Sequence, residues 1–146
     1  MFNINLNLEK LNCFFNCKSC CIDEKLIKLT AYEIEQIINT TNCFVFVNIL
    51  LGKLITLING KSGFIYKSID GNATAYKALS VYGLDVSGKP ILTTNIINIP
   101  LYYKGLLVGT LGLGMKSNKI DVDKLQEQLD PIIIILSKYL YDNEFD

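Results

Sequence analysis

The stretch Ile99-Pro100-Leu101-Tyr102-Tyr103-Lys104-Gly105-Leu106-Leu107-Val108-Gly109-Thr110-Leu111-Gly112-Leu113-Gly114 decides the fold. Lys104-Gly105 is a polar, glycine-containing step between two apolar runs, the pattern of a hairpin turn. It predicts strands over Ile96–Tyr103 and Leu106–Gly114. Gly109, Gly112 and Gly114 within the second strand remove side chains where a helix or ligand approaches the sheet closely. The same glycines do not make a phosphate loop. Their spacing, G-x-x-G-x-G, reverses the dinucleotide fingerprint, and no helix follows at once.

Downstream, Asp121 is placed to cap a closing helix whose stripe is Leu125, Leu129, Ile132, Ile133, Leu136 and Leu140. Pro131 lacks an N–H, so this helix is expected to kink there or to restart with Asp130 as a new cap. Asp121 and Asp123 complement the helix dipole rather than form a paired-carboxylate centre. Upstream, Leu26, Ile27, Ile34, Ile37 and Ile38 recur at helical spacing from Asp23, with Thr30 and Glu33 as a capping pair for the second half. Cys43–Leu51 and Leu54–Ile58 are expected as strands around a Gly52-Lys53 turn, on the β propensity of Phe44, Phe46 and the valines. Asn59-Gly60 marks a turn before a short strand at Phe64–Lys67. Asp70-Gly71-Asn72 is expected to break the sheet, with Asn72 capping a helix over Ala73–Val86 that Ser87-Gly88-Lys89-Pro90 ends; Ile91–Thr94 then makes a short strand. The fold class is α+β: an antiparallel sheet flanked by N- and C-terminal helices. The division is an N-terminal segment, 1–22, and a single domain, 23–146.

The chain has 146 residues, half of them apolar, the length of one domain with a good core. It carries 14 cationic and 14 acidic side chains; all the cations are Lys, and His, Arg and Trp are absent. Zero net charge argues against a nucleic-acid partner. Without His or Arg there is no Ser-His-Asp or Cys-His pair, no imidazole metal ligand and no bidentate guanidinium clamp. The excess of Lys, Asn, Ile and Tyr reads as AT-rich codon usage rather than as selected chemistry. The uncharged runs Asn39–Gly52, Pro90–Tyr103 and Gly105–Met115 all fall short of the roughly 18–20 residues that span a bilayer, so no membrane partner is expected. Met1–Leu8 has neither the basic nor the apolar region of a signal peptide, and free thiols fit a reducing cytoplasm.

Over roughly residues 23–142 the chain resembles a GAF domain. The resemblance rests on Val86-Ser87-Gly88-Lys89-Pro90-Ile91-Leu92, on Ile99-Pro100-Leu101, on Lys104 through Leu113, and on the closing helix. PAS-like domains share the general layout but less of this wording. The resemblance implies a non-enzymatic regulatory or protein-interaction domain. Pairing through terminal helices is common among GAF-like domains, so a homodimer or a subunit of a larger assembly is expected, with the Ile132–Ile135 run as a dimer face. Two departures matter. The span from Thr94 to Ile99 is short where the family usually places a ligand-covering segment, and no cysteine follows Cys43, which removes the chromophore-bearing and methionine sulfoxide reductase versions. A metal-binding or redox protein built on Cys13–Cys21 is the alternative function; a small-molecule-sensing pocket, the second alternative, would lie between the sheet and the Ala73–Val86 helix. Tyr66, Tyr76, Tyr82, Thr93 and Thr94 are its candidate hydroxyl groups.

Cys13-Phe14-Phe15-Asn16-Cys17-Lys18-Ser19-Cys20-Cys21 is the sharpest local feature. Thiolates select zinc, copper(I) or iron–sulfur clusters. Cys13, Cys17, Cys20 and Cys21 are therefore candidate ligands for zinc or an iron–sulfur centre, or a redox group; adjacent Cys20 and Cys21 do not readily share one ion. Residues 13–38 also resemble the CxxxCxxCC zinc- or iron-chelating proteins, through the cysteines and Ile27-Lys28-Leu29-Thr30-Ala31-Tyr32-Glu33. That family's downstream cysteines are missing apart from Cys43. No cofactor is expected beyond a metal at this cluster, and no catalytic residue is assigned.

Overall fold

The computed structural model describes residues 22–83, 96–115 and 121–145. Three helices and four strands form one α+β unit: α1 (Glu24–Ile37), α2 (Cys43–Leu57), β1 (Ser62–Ile69), β2 (Asn72–Tyr82), β3 (Ile96–Tyr103), β4 (Leu106–Gly114) and α3 (Val122–Asp142). The sheet is antiparallel throughout, in the order β2-β1-β4-β3. The expected fold class, hairpin and flanking helices are all present.

The hairpin forms as its turn chemistry requires. Lys104 and Gly105 both take positive φ, 52° and 76°, and glycine adopts this region without a Cβ penalty. β3 alternates buried and exposed residues, so Ile97, Ile99 and Leu101 enter the core while Asn98, Pro100 and Tyr102 point away. α1 starts where Asp23 accepts a hydrogen bond from the Lys25 amide at 2.9 Å. It runs unbroken past Thr30, whose hydroxyl donates to the Leu26 carbonyl at 2.8 Å instead of capping a second segment. α3 is capped by Asp121, which accepts from the Lys124 amide at 3.1 Å. Pro131 sits inside α3 without a restart at Asp130.

Two expected elements are overturned. Residues 43–57 form one helix, not a hairpin. Asn42 caps it by accepting from the Val45 amide at 2.9 Å, and Gly52 lies within the helix rather than at a turn. The segment is mostly apolar: Phe46, Val47, Leu50, Leu51, Leu54 and Ile55 are buried in the core, while Phe44 and Val45 add apolar residues on its exposed side. An apolar run of this kind has no period that separates strand from helix, and β-branched content misleads there. Residues 72–82, expected within a helix, are instead strand β2. Asp70 and Gly71 take φ of 53° and 72°, the conformation of a two-residue hairpin turn, so Asp70-Gly71 joins β1 to β2 instead of ending the sheet. The Ile91–Thr94 strand and the end of the expected helix, 84–86, lie outside the described residues.

α2 packs on β1 and β2, and α3 on β3 and β4. Both lie on the face that carries Gly63, Ile65, Gly109, Leu111 and Leu113. A Cβ on Gly63 would stand 3.1 Å from Leu51 and 2.7 Å from Ile55 of α2, and one on Gly109 2.8 Å from Leu140 of α3. α1 packs outside them, against α2 and α3, through Ile27, Ala31 and Ile34. Among the described residues the core therefore lies wholly on one side of the sheet. Ile34, Phe46, Leu50, Ile65, Ile99, Leu111, Leu125 and Leu136 are fully buried in it. Each such side chain contributes about 1.5–3 kcal/mol through removal from water.

Candidate functional site

Side chains alternate across a strand, so the residues between the core positions share the opposite face. By register that face carries Phe64 and Tyr66 of β1, Ala78 and Val81 of β2, Asn98 and Pro100 of β3, and Thr110 and Gly112 of β4. Tyr76, opposite Ser68, extends it toward the β1–β2 turn. Every one of these residues is uncharged.

Three aromatic rings form a row on this surface. Phe64 and Tyr66 stack with centroids 4.4 Å apart and planes 29° from parallel. Tyr66 meets Tyr76 at 6.4 Å. Both distances fall in or near the range in which aromatic pairs attract beyond their buried area. The row needs Gly112. A Cβ at that position would lie 2.1 Å from the Phe64 ring, so the ring is laid flat on the glycine backbone of the neighbouring strand. Gly109 faces the other way. A Cβ there would meet the Tyr66 carbonyl oxygen at 2.3 Å as well as Leu140. One glycine admits the aromatic row and the other admits α3, a division of labour that the spacing alone leaves open.

The candidate residues are only partly brought together. Tyr66 and Tyr76 share the aromatic row. Tyr82 stands opposite Gly63, on the helix side at the edge of the sheet, and is 48% exposed. Residues 73–82 are strand rather than helix, so the expected pocket beneath a helix of those residues is not formed. Thr93 and Thr94 lie outside the described residues, as do Cys13, Cys17, Cys20 and Cys21. Among the described residues no group of three or more His, Cys, Asp or Glu is arranged to hold a metal, and no helix is long and apolar enough to cross a membrane. Phe64 was missed by sequence reading. Its signal was the period-two pair Phe64-x-Tyr66 beside the glycines of the next strand.

Chemically the surface offers π faces, two phenol hydroxyls and, on β3, the exposed Asn98 amide. Thr110 is spent on the Ile99 carbonyl, to which its hydroxyl donates at 3.3 Å. A planar, largely neutral group fits these terms through stacking, with orientation set by a few hydrogen bonds. Two clefts bordered by described residues lie elsewhere. One, of about 260 Å³, opens between the β1–β2 turn and Tyr141. The other, of about 350 Å³, opens between α1 and α3 beside Gln128, whose side-chain oxygen is buried without a partner.

On the other side of the sheet, Tyr139 is buried against Phe46, with ring centroids 4.1 Å apart. Burial, and then a hydrogen bond with the Cys43 thiol, hold its phenol well above the ordinary tyrosine range. It is therefore neutral at physiological pH.

The fold is that of GAF domains of known structure. The GAF domain of a phosphoenolpyruvate-protein phosphotransferase from Coxiella burnetii matches with a TM-score of 0.64 at 12% identity, covering 82% of this chain and 95% of that one. Its Acinetobacter counterpart matches with a TM-score of 0.60 at 14% identity, over 80% and 93%. The GAF domain of A. aeolicus nlh2, in an inactive state, matches with a TM-score of 0.58 at 15% identity, over 84% and 100%. By sequence the chain matches no protein-family model and no curated protein.

Proposed function

We propose that this chain is a non-enzymatic regulatory domain that senses a small molecule on the face of its sheet opposite the three described helices. The carrying observation is the row Phe64–Tyr66–Tyr76, seated on Gly112 among described face residues that are all uncharged. The ligand class is a planar ring, a nucleobase or a similar heterocycle, held by stacking on Tyr66 and Tyr76 and oriented by their hydroxyls. The fold supports a regulatory role as a reading by kinship of architecture. The absence of His and Arg from the chain, and the neutral lining of the face, favour binding over catalysis.

A thermal-shift screen with nucleosides, nucleotides and planar metabolites tests this. A ligand at a hundredfold excess over its Kd stabilises the folded state by about 2.7 kcal/mol. A rise in melting temperature that disappears in both Tyr66→Ala and Tyr76→Ala supports the reading. A shift that survives in both variants, or no shift with any compound at millimolar concentration, contradicts it.

A second reading, a protein-interaction module that pairs with a second copy or joins an assembly, rests on α1. Leu26, Leu29 and Tyr32 are 47%, 54% and 60% exposed, on the side of the helix turned away from α2 and α3. Exposed apolar stripes of this kind mark contact surfaces. Light scattering after size exclusion decides it: a dimer that dissociates in Leu26→Glu/Leu29→Glu supports the reading, and a monomer at micromolar concentration contradicts it.

A further inference from the structure

After α3 ends, the chain turns back on itself. Asn143 leaves helical geometry, with φ −124° and ψ 148°, while its amide and its side-chain Nδ2 both donate to the Tyr139 carbonyl. Phe145 then enters a socket and is only 4% exposed. Its ring meets Phe44 edge-on at 5.4 Å and Tyr139 at 6.2 Å. Two lysines from the sheet reach the same segment. Lys67 Nζ donates to the Asn143 carbonyl at 2.6 Å and lies 5.4 Å from the Phe145 ring. Lys77 Nζ donates to the Phe145 carbonyl and lies 5.8 Å from the Phe44 ring.

The two lysines stand directly opposite each other across β1 and β2. Like charges in that position destabilise a strand pair. The arrangement becomes favourable because each ammonium has a carbonyl of the C-terminal segment to donate to, and ion–carbonyl hydrogen bonds are among the stronger ones. Residues 143–145 pair with no described strand, and Glu144 is exposed. Beyond the helix-cap bonds of Asn143 to Tyr139 and its contact with the Cys43 thiol, the segment is held by the two ammonium groups and the buried Phe145 ring.

We propose that Asn143–Phe145 is a releasable latch, held shut by the Lys67–Lys77 pair and a socket of Phe44 and Tyr139. When closed, it turns the chain leaving α3 back against α2 and the sheet. When open, it frees that chain and uncovers Lys67, Lys77, Phe44 and Tyr139 beneath it. Segments outside the sheet and helices open at lower cost than those elements themselves, so the latch can withdraw Phe145 from the core cluster while the sheet and helices stay folded.

The chain has no tryptophan, so Phe145→Trp gives a single reporter in this 146-residue chain. With both lysines present, its emission is blue-shifted and shielded from acrylamide. In the added Lys67→Met/Lys77→Met background, quenching rises by about threefold or more while far-UV circular dichroism is unchanged, as expected for local opening of one segment. Lys67→Arg/Lys77→Arg restores shielding, because arginine keeps charge and donors. If the double Met variant fails to fold, Lys77→Met alone gives the same readout. Shielding that persists in the folded Met variants overturns the proposal, since packing alone would then hold the segment. A reporter exposed with both lysines intact overturns it as well.

Discussion

Tyr66 and Tyr76 come within 6.4 Å, ring to ring, across the two strands that Asp70-Gly71 joins. They are diagonal neighbours, since Tyr66 stands opposite Ala78 and Tyr76 opposite Ser68. The residue that follows each, Lys67 and Lys77, faces the other way and holds the C-terminal segment. Strand alternation therefore puts a neutral aromatic row on one face and a basic pair on the other, from two consecutive-residue pairs.

Gly112→Ala tests the seating of the aromatic row. The added methyl overlaps the Phe64 ring, 2.1 Å away, and a ring can swing aside at a cost. Overpacking of this kind destabilises by about 1–3 kcal/mol. Urea unfolding is expected to show that loss, together with a changed near-UV signal as the Phe64–Tyr66 stack opens.

Gly109→Ala is expected to cost more than Gly112→Ala. Its methyl meets the Tyr66 carbonyl oxygen at 2.3 Å, and backbone inside a paired strand cannot swing away. Parallel urea titrations of the two variants give the ranking directly; equal stabilities would contradict the assigned faces.

Gly52→Ala discriminates the helix from the hairpin that residues 43–58 suggest. Gly52 lies inside α2, and a Cβ there meets nothing within 4 Å. Alanine in a helix interior is favoured over glycine by about 0.5–1 kcal/mol, so the variant should melt higher than the parent. At a Gly-Lys hairpin turn the same change would lower the melting temperature.

Alkaline stability should depend on Tyr139. Its folded-state pKa is raised by burial, first, and by the Cys43 hydrogen bond, second. The folded state thus holds this proton more tightly than the unfolded chain, whose phenols titrate near 10. The resulting stability is fully present below about pH 10 and is lost as pH rises through the raised value. Melting temperatures between pH 8 and 12 should fall less steeply in Tyr139→Phe than in the parent.

The hairpin at Lys104-Gly105, helix α1 and helix α3 were legible because turn chemistry, caps and an amphipathic stripe agree there. α2 was not, because its exposed side carries Phe44 and Val45 as well as polar residues, which blurs the periodic signal. β2 was obscured by Ala73, Ala75 and Ala78, which read as helix formers, and by taking Asp70-Gly71 as a stop instead of a hairpin turn. Propensity lost to pairing with β1. For the site, Tyr66 and Tyr76 were legible as hydroxyl-bearing aromatics, but their shared surface was not, because it exists only once 72–82 is a strand. Phe64 depends on Gly112, forty-eight residues away along the sequence and adjacent only through register.

The central claim is that the face carrying Phe64, Tyr66 and Tyr76 binds a planar molecule. Two-dimensional NMR of the protein, titrated with the compound that most raises its melting temperature, tests this most directly. The account predicts ring-current shifts centred on Phe64, Tyr66, Tyr76 and the amide of Gly112, with the buried methyl groups of Leu50 and Leu136 unmoved. Shifts centred on α1, or on the cleft beside Gln128, with the aromatic row unperturbed, would contradict it.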